Sequence, residues 1–291
     1  MARYVTWNLG CGGINRGGAE DRRYRQIDVL TSLDPQPDIL ALQEITGWHR
    51  DDWSRLYELA NALRMIPLTP VTSHTGDGTN HLALLYRAEQ VHVMGYSRVH
   101  TGSSFHHGLA RARVIIDGTE TTILTTHLCP YDGDKRLHEA KWLTDYAGPF
   151  PGRPDTAVLL GDLNTADRGP TAETPIGQSP EPDWEHDVPP NLQARYRLVH
   201  TDERQDGAFG DTDRRALKVL HAAGWTDPQD LLPDYPRQAT VGHRYDNEPT
   251  PLRLDHILYA GRQITPTAYT TISNENTKAA SDHLPVCLDT A

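Results

Sequence analysis

Two short segments hold residue types that suit catalysis, 161–164 (Gly-Asp-Leu-Asn) and 281–283 (Ser-Asp-His). The first follows an apolar run and the second precedes one, which is typical of the edges of buried strands. Because alternate residues of a strand face the same way, we expect Asp162 and Asn164 to point at one spot while Leu163 packs inward. If the two segments meet in space, they form an acidic pocket with a histidine. Such a pocket suits a hard divalent cation and a phosphate ester.

Other polar residues occupy similar places in the chain. Asn8, Glu44 and His127 each lie at the end of a strand-like apolar run. This regularity predicts that one edge of a sheet assembly collects the polar residues. Periodicity of apolar residues predicts the elements that must position them, namely helices at 21–33, 53–63, 134–147 and 212–223, and strands at 4–9, 38–44, 66–72, 82–86, 91–99, 111–116, 121–127, 157–161, 252–259, 265–272 and 284–288.

The balance of many strands and few long helices indicates two β-sheets packed face to face, with helices outside. A chain of 291 residues is long enough for one large domain or two small ones. No convincing linker divides it, so we predict one domain over 1–291. The Pro-rich stretches 165–190 and 228–251 are expected to be long loops that shape the mouth of the site.

Composition limits the possible partners. The formal net charge is −11, which disfavours tight nonspecific binding to duplex DNA but allows a local basic groove. Three scattered cysteines are too few for a disulfide framework. The sequence shows neither a signal peptide nor a membrane span, so we expect a soluble cytoplasmic protein that does not bind membranes, with a monomer favoured.

Six motifs together resemble a known family. They are, in order, Trp7-Asn8, Gln43-Glu44, Thr126-His127-Leu128, Gly161-Asp162-Leu163-Asn164, Leu254-Asp255-His256 and Ser281-Asp282-His283. Their order and spacing resemble the endonuclease/exonuclease/phosphatase superfamily, whose members include deoxyribonuclease I and inositol polyphosphate phosphatases. The resemblance implies an α/β fold, a four-layered sandwich in which two mainly antiparallel sheets are flanked by helices, with a divalent metal at the sheet edge.

The resemblance also implies roles for five of these residues around the metal and the attacking water. Glu44 looks like the principal metal carboxylate, and Asp282 resembles a second carboxylate near the metal. Asn8 would help to hold the metal or the phosphate. Asp162 would orient or deprotonate the attacking water, and Asn164 would position phosphate or water.

Two histidines and an arginine complete the implied site. His283 would hydrogen-bond the phosphate or act as a base, oriented by Asp255. His127 would hydrogen-bond the phosphate and protonate the leaving oxygen. Arg111 is similar in position to an arginine that contacts phosphate in deoxyribonuclease I. Relatives of that type often pair the first histidine with a glutamate, where this chain has Asn80 and His81.

The predicted function is therefore that of an Mg²⁺-dependent phosphoesterase, with Mn²⁺ as a possible substitute. A nuclease or phosphodiesterase is the first choice, and a small-molecule phosphatase or phosphodiesterase acting on a nucleotide, sugar or inositol phosphate is the alternative. The partner is accordingly a phosphate ester, either a nucleic acid or a small molecule. A non-catalytic binding module is less favoured, because it predicts substitutions at the metal or histidine positions.

Overall fold

The computed structural model describes residues 1–15, 17–75, 79–99, 104–167, 182–199, 208–244, 248 and 250–291. Within them the chain forms two large sheets and a short two-stranded ribbon. The strands, in chain order, are β1 (Ala2–Asn8), β2 (Ile39–Gln43), β3 (Ile66–Pro67), β4 (Ala83–Tyr86), β5 (Val91–Val99), β6 (Leu109–Ile116), β7 (Thr119–His127), β8 (Thr156–Asp162), β9 (Arg197–Val199), β10 (Phe209–Thr212), β11 (Asp255–Ala260), β12 (Pro266–Thr271) and β13 (Val286–Thr290).

Both large sheets are mainly antiparallel, as the sequence predicts. The first sheet has the strand order β12-β13-β1-β2-β4-β3, and the second has the order β11-β8-β7-β6-β5. Each sheet contains one parallel pair, β1 with β2 in the first and β7 with β8 in the second. Strands β9 and β10 form the separate ribbon.

Helices cover the outer faces of the two sheets. They are α1 (Asp21–Thr31), α2 (Ser54–Leu63), α3 (Gly133–Leu143), α4 (Pro190–Gln193), α5 (Arg215–Ala223) and α6 (Glu275–Ala280). One apolar cluster joins the first sheet to α1 and α2, a second fills the space between the sheets, and a third joins the second sheet to α3 and α5. The layer order is therefore helix, sheet, sheet, helix, which confirms the predicted four-layered sandwich.

Some local predictions differ from the structure. The predicted strand 66–72 is reduced to Ile66–Pro67 and an isolated bridge at Val71, because Pro70 has no N–H to donate to a neighbouring strand. The predicted helix 212–223 begins only at Arg215, since Thr212 ends β10. Helix α6 was not predicted, because its six residues are too short to show apolar periodicity.

The strand pairing brings the polar strand ends to one edge of the sandwich. Parallel neighbours end at the same edge, so Asn8 lies opposite Gln43 and His127 lies opposite Asp162. Antiparallel β11 begins at that edge, where Asp255 pairs with Asp162. Among the described helices, none has the length and apolar character needed to cross a bilayer.

Candidate active site

Asn8 connects a carboxylate of the first sheet with a carboxylate of the second. Its side-chain Nδ2 donates to Glu44 Oε1 at 3.2 Å and to Asp162 Oδ2 at 3.0 Å. Its Oδ1 accepts a hydrogen bond from the backbone N–H of Gly10 at 3.0 Å. In this orientation Asn8 holds the two carboxylates in place, and its role in holding the metal or the phosphate stays a prediction.

The backbone at Glu44 directs its carboxylate into the site. Glu44 follows β2 with a left-handed φ of 52°, so its side chain leaves the direction of the strand. Its Oε2 accepts a hydrogen bond from the N–H of Cys11 at 2.9 Å. The loop after β1 therefore fixes one carboxylate oxygen, while the other faces Asn8.

Asp255 and His283 form a buried pair. His283 Nδ1 lies 2.8 Å from Asp255 Oδ2, and its Nε2 lies 3.8 Å from Asp162 Oδ2. Burial disfavours the imidazolium, but the charges of Asp255 and Asp162 outweigh this effect and raise the pKa of His283 well above its usual value. Because Nδ1 is engaged by Asp255, Nε2 is the ring nitrogen that is left to contact a ligand in the cavity.

A turn after β8 positions both Asp162 and Asn164. Asn164 has a left-handed φ of 47°, and its backbone N–H donates to Asp162 Oδ1 at 2.9 Å. Its side-chain Nδ2 donates to the carbonyl of Leu128 at 3.0 Å, and Leu163 between them is fully buried. The predicted alternation of the segment is therefore present, although a turn and not a continued strand produces it.

His127 contacts the same carboxylate from the end of β7. Its Nε2 lies 3.4 Å from Asp162 Oδ2, while its Nδ1 is buried without a hydrogen bond. Asn80, which stands where relatives have a glutamate, instead accepts from the Thr46 hydroxyl at 2.8 Å. The ring of His107 packs on His127 with the centroids 4.4 Å apart. Packing against the His107 ring therefore positions His127, in place of the glutamate that pairs with this histidine in relatives.

Asp282 is buried beside the loop that follows β1, and it is not among the residues that line the cavity. The Oδ1 atom lies 3.3 Å from the Ser281 hydroxyl, and a Cβ added to Gly10 would overlap it. Burial opposes ionisation, but the charges of His283 and Arg22 and local hydrogen bonds lower the pKa of Asp282. Asp282 is thus a buried, charged residue next to the site, and it does not itself line the cavity.

Arg111 is a predicted site residue that points away from the cavity and from the other site residues. In β6, Ala110 and Ala112 point toward the other sheet or the adjoining core, so Arg111 points to the opposite face. There its Nε donates to Ser97 at 2.9 Å and its Nη1 donates to Tyr146 at 2.8 Å. The alternation of arginine with apolar residues along 110–116 was the signal that could have excluded it.

Five of the nine predicted site residues line a cavity of about 220 Å³, namely Glu44, His127, Asp162, Asn164 and His283. Sequence reasoning missed three further residues of its wall, Tyr131, Arg195 and Glu248. They come from irregular segments, where no periodicity marks the side that faces the site. The complete lining is Cys11, Glu44, Asn80, His127, Pro130, Tyr131, Asp162, Asn164, Arg195, Glu248 and His283.

The acceptor atoms of the site fit a hard divalent cation. The half-buried Glu44 and the buried Asp162 both accept from the Asn8 amide, and two carboxylates held this close favour a compensating positive charge. Mg²⁺ prefers such oxygen ligands, together with water and substrate oxygens. Asp162, Asp255 and His283 also offer ligand atoms within 4.8 Å of one another, but the last two already bind each other.

Comparison with known proteins finds solved structures of similar fold. The fold is similar to that of a mannosyl-6-phosphatase from Bacteroides thetaiotaomicron VPI-5482, with a TM-score of 0.64, 15% sequence identity and coverage of 100% of both chains. It is also similar to an endonuclease/exonuclease/phosphatase family protein from Leptotrichia buccalis C-1013-b, with a TM-score of 0.66, 14% identity and full coverage of both chains.

A third similar structure is D. rerio TDP2 complexed with a single-strand DNA product, with a TM-score of 0.62, 15% identity and coverage of 99% of this chain and 97% of that one. No curated protein matches the sequence. The profile of the endonuclease/exonuclease/phosphatase family matches residues 5–283. The chain therefore belongs to the endonuclease/exonuclease/phosphatase family, whose phosphoesterase fold it has.

Proposed function

We propose that the protein is a phosphoesterase that requires a divalent cation, with Mg²⁺ as the preferred ion and Mn²⁺ as a substitute. The observation that carries the proposal is the position of Asp162. Its Oδ2 lies within 3.0 Å of Asn8, 3.4 Å of His127 and 3.8 Å of His283, which come from both sheets. A carboxylate surrounded by an amide and two imidazoles suits activation of water beside a phosphate.

His283 is the donor to the phosphoryl oxygen in this proposal. Asp255 fixes the ring through Nδ1, so Nε2–H points into the cavity. A protonated imidazole stabilises the negative charge that grows on the phosphoryl oxygens in the transition state. Of the two roles that the sequence suggests for His283, its position between the carboxylates of Asp255 and Asp162 favours the donor over the base.

Asp162 is the group that accepts a proton from water in this proposal. The turn at Asn164 occupies one of its oxygens, Oδ1, and Oδ2 remains directed at the cavity. His127, on the other side of Oδ2, is placed to protonate the leaving oxygen when the P–O bond breaks. A cation held by Glu44 beside Asp162 would supply charge compensation for the phosphate.

The cavity favours a small phosphate ester over a long nucleic acid. Binding of a nucleic acid strand uses several cationic contacts to phosphates. Among the described residues of the lining, Arg195 is the one guanidinium, whereas Glu44, Asp162 and Glu248 are acids. The net charge of −11 acts in the same direction.

A nuclease or phosphodiesterase, the first choice from the sequence, becomes the second candidate here. The exposed ring of Tyr131 beside the cavity is an observation in its favour, because nucleic acid bases stack on such rings. The similar TDP2 structure holds a single-strand DNA product, and the similar mannosyl-6-phosphatase is named for a sugar phosphate. Both substrate classes therefore belong in the test.

The test is a hydrolysis assay with sugar phosphates, nucleotides, inositol phosphates, single-stranded DNA and RNA. We expect EDTA to abolish hydrolysis and Mg²⁺ or Mn²⁺ to restore it. Asp162→Asn should lower kcat by at least about 10²-fold, because it removes the base. Asp155→Asn is the matched control, since that carboxylate is exposed at the other end of β8. Full activity in EDTA, or wild-type kcat in Asp162→Asn, would refute the proposal.

A further inference from the structure

The wall of the cavity that includes Tyr131, Arg195 and Glu248 has no part in the hydrolytic steps proposed above. These residues line the same cavity as Asp162 and His283. The charges of His283 and Asp162 act on Glu248, so its carboxylate lies close to the reacting centre. Any group attached to the phosphate and held in the cavity must contact this wall.

Helix α3 fixes the two backbone segments that carry Tyr131 and Arg195. The buried Arg136 of this helix donates through Nη1 to the carbonyl of Cys129 at 2.8 Å and through Nη2 to the carbonyl of Arg195 at 2.7 Å. Glu139, one turn later, accepts from the N–H of Cys129 at 2.7 Å. The wall is therefore held by buried, charge-assisted hydrogen bonds and is organised before a substrate arrives.

Arg195 lies between the other two residues of the wall. Its guanidinium carbon is 5.1 Å from the centroid of the Tyr131 ring, a cation–π distance. Its Nη1 is 3.9 Å from Glu248 Oε1, which is too long for a direct hydrogen bond. The guanidinium and the carboxylate thus face the same region of the cavity without forming a direct hydrogen bond with each other.

Glu248 places a buried acceptor atom in the wall. Its side chain is 8% exposed, and among the described residues no donor meets its Oε2 with good hydrogen-bond geometry. The buried Tyr196 hydroxyl lies beside it and interacts with the carboxylate. Burial raises the pKa of Glu248 to about 7, against smaller opposing effects of Tyr196, His283 and Arg195. A carboxylate has two oxygens and can accept several hydrogen bonds, so Glu248 can accept from a ligand hydroxyl in addition to the Tyr196 hydroxyl.

We propose that Tyr131, Arg195 and Glu248 form the binding site for the leaving group, and that they select phosphate esters of polyhydroxylated alcohols. Glu248 accepts hydrogen bonds from hydroxyls of the leaving group, and Arg195 donates to its oxygens. The exposed ring of Tyr131 covers the carbon skeleton. This inference rests on the proposed phosphoesterase function and names the substrate class for the same site. A site built for hydroxyls discriminates strongly against an analogue that lacks them.

The test uses matched substrates that differ in their hydroxyls. The probes are glucose 6-phosphate and cyclohexylmethyl phosphate, each as the monoester and as the methyl diester, with Mg²⁺. The readout is the ratio of kcat/KM between the hydroxylated and the apolar ester. We expect this ratio to be at least about tenfold in the wild type, and to fall by about tenfold to hundredfold in Glu248→Ala.

Two further variants separate recognition from misfolding. Arg195→Lys keeps the charge but loses the planar fork, and it should lower the same ratio while the circular dichroism spectrum is unchanged. Glu89→Ala is the control, because Glu89 is exposed in the turn after β4, at the other end of the sandwich, and it should leave the ratio unchanged.

The results separate failure of the leaving-group site from failure of the phosphoesterase function. A wild type that hydrolyses the esters with a ratio near one, or a Glu248→Ala variant that keeps the wild-type ratio, overturns the assigned leaving-group site and leaves the phosphoesterase function standing. A wild type that hydrolyses none of these esters, and none of the nucleic acids or phosphates of the first assay, overturns the proposed function and the leaving-group site with it.

Discussion

Replacing Gly161 by alanine is expected to disturb the alignment of two catalytic strands. Gly161 pairs with Thr126 across the parallel β7–β8 contact, next to the pair of His127 with Asp162. A Cβ built on Gly161 would overlap the carbonyl oxygen of Thr126 and lie 3.1 Å from its carbonyl carbon. Both are backbone atoms in a buried strand, so no side chain can move aside.

The size of the effect follows from this overlap. The two strands must separate by roughly 1 Å before the new methyl group reaches a normal contact, and overpacking of this kind costs about 1–3 kcal/mol of unfolding free energy. A displacement of about 1 Å at catalytic groups lowers the rate by roughly 10²-fold. Because His127 and Asp162 are the adjacent residues, the loss of kcat should accompany the loss of stability.

The assay is urea unfolding together with kcat on the best substrate from the panel. Gly95→Ala is the matched control, since Gly95 lies in β5 and an added Cβ has no atom within 4 Å. We expect the control to keep wild-type kcat and to change stability by less than about 1 kcal/mol. If Gly161→Ala keeps both wild-type stability and wild-type kcat, the argument from strand overlap is refuted.

Two further predictions concern residues outside the catalytic contacts. Burial, followed by the charge of Arg253, lowers the pKa of His256 to about 4. The stability that the neutral His256 contributes to the folded state is therefore fully present above pH 6.5, and it is lost as the pH falls toward 4. Up to about 3 kcal/mol of unfolding free energy should disappear over that range, and His256→Asn should show a smaller loss in urea unfolding. Arg111→Ala should keep kcat within about threefold, because Arg111 faces Tyr146; a tenfold loss would return Arg111 to the site.

The sequence predicted the edge of the sandwich well, because strand ends carry strong local signals. Asn8, Glu44, His127 and Asp162 each end or follow an apolar run, and pairing between strands brings them together. The position of Asp255 opposite Asp162 also follows from antiparallel pairing of two recognisable strands. The regular geometry of a strand fixes where each of its residues lies, so residues at strand ends are the most predictable part of the site.

The remaining parts of the site depend on contacts that no local pattern records. The orientation of the Asn8 amide is decided by Glu44 and Asp162, which are distant in the sequence. Arg195 reaches the cavity because Arg136 of another element binds its carbonyl. Glu248 comes from an irregular stretch without periodicity. Tertiary contacts, and not propensity, therefore determine this wall of the cavity, which we propose as the leaving-group site.

The bridge that Asn8 makes between the sheets has a consequence for the order of folding events. Neither sheet alone contains a complete set of reacting groups, so catalysis begins only after the two sheets dock. Because this docking joins residues far apart in the chain, it is expected to be a late and slow step. During refolding, recovery of enzymatic turnover should therefore lag behind recovery of the far-ultraviolet circular dichroism signal, and would serve as a clock for the docking step.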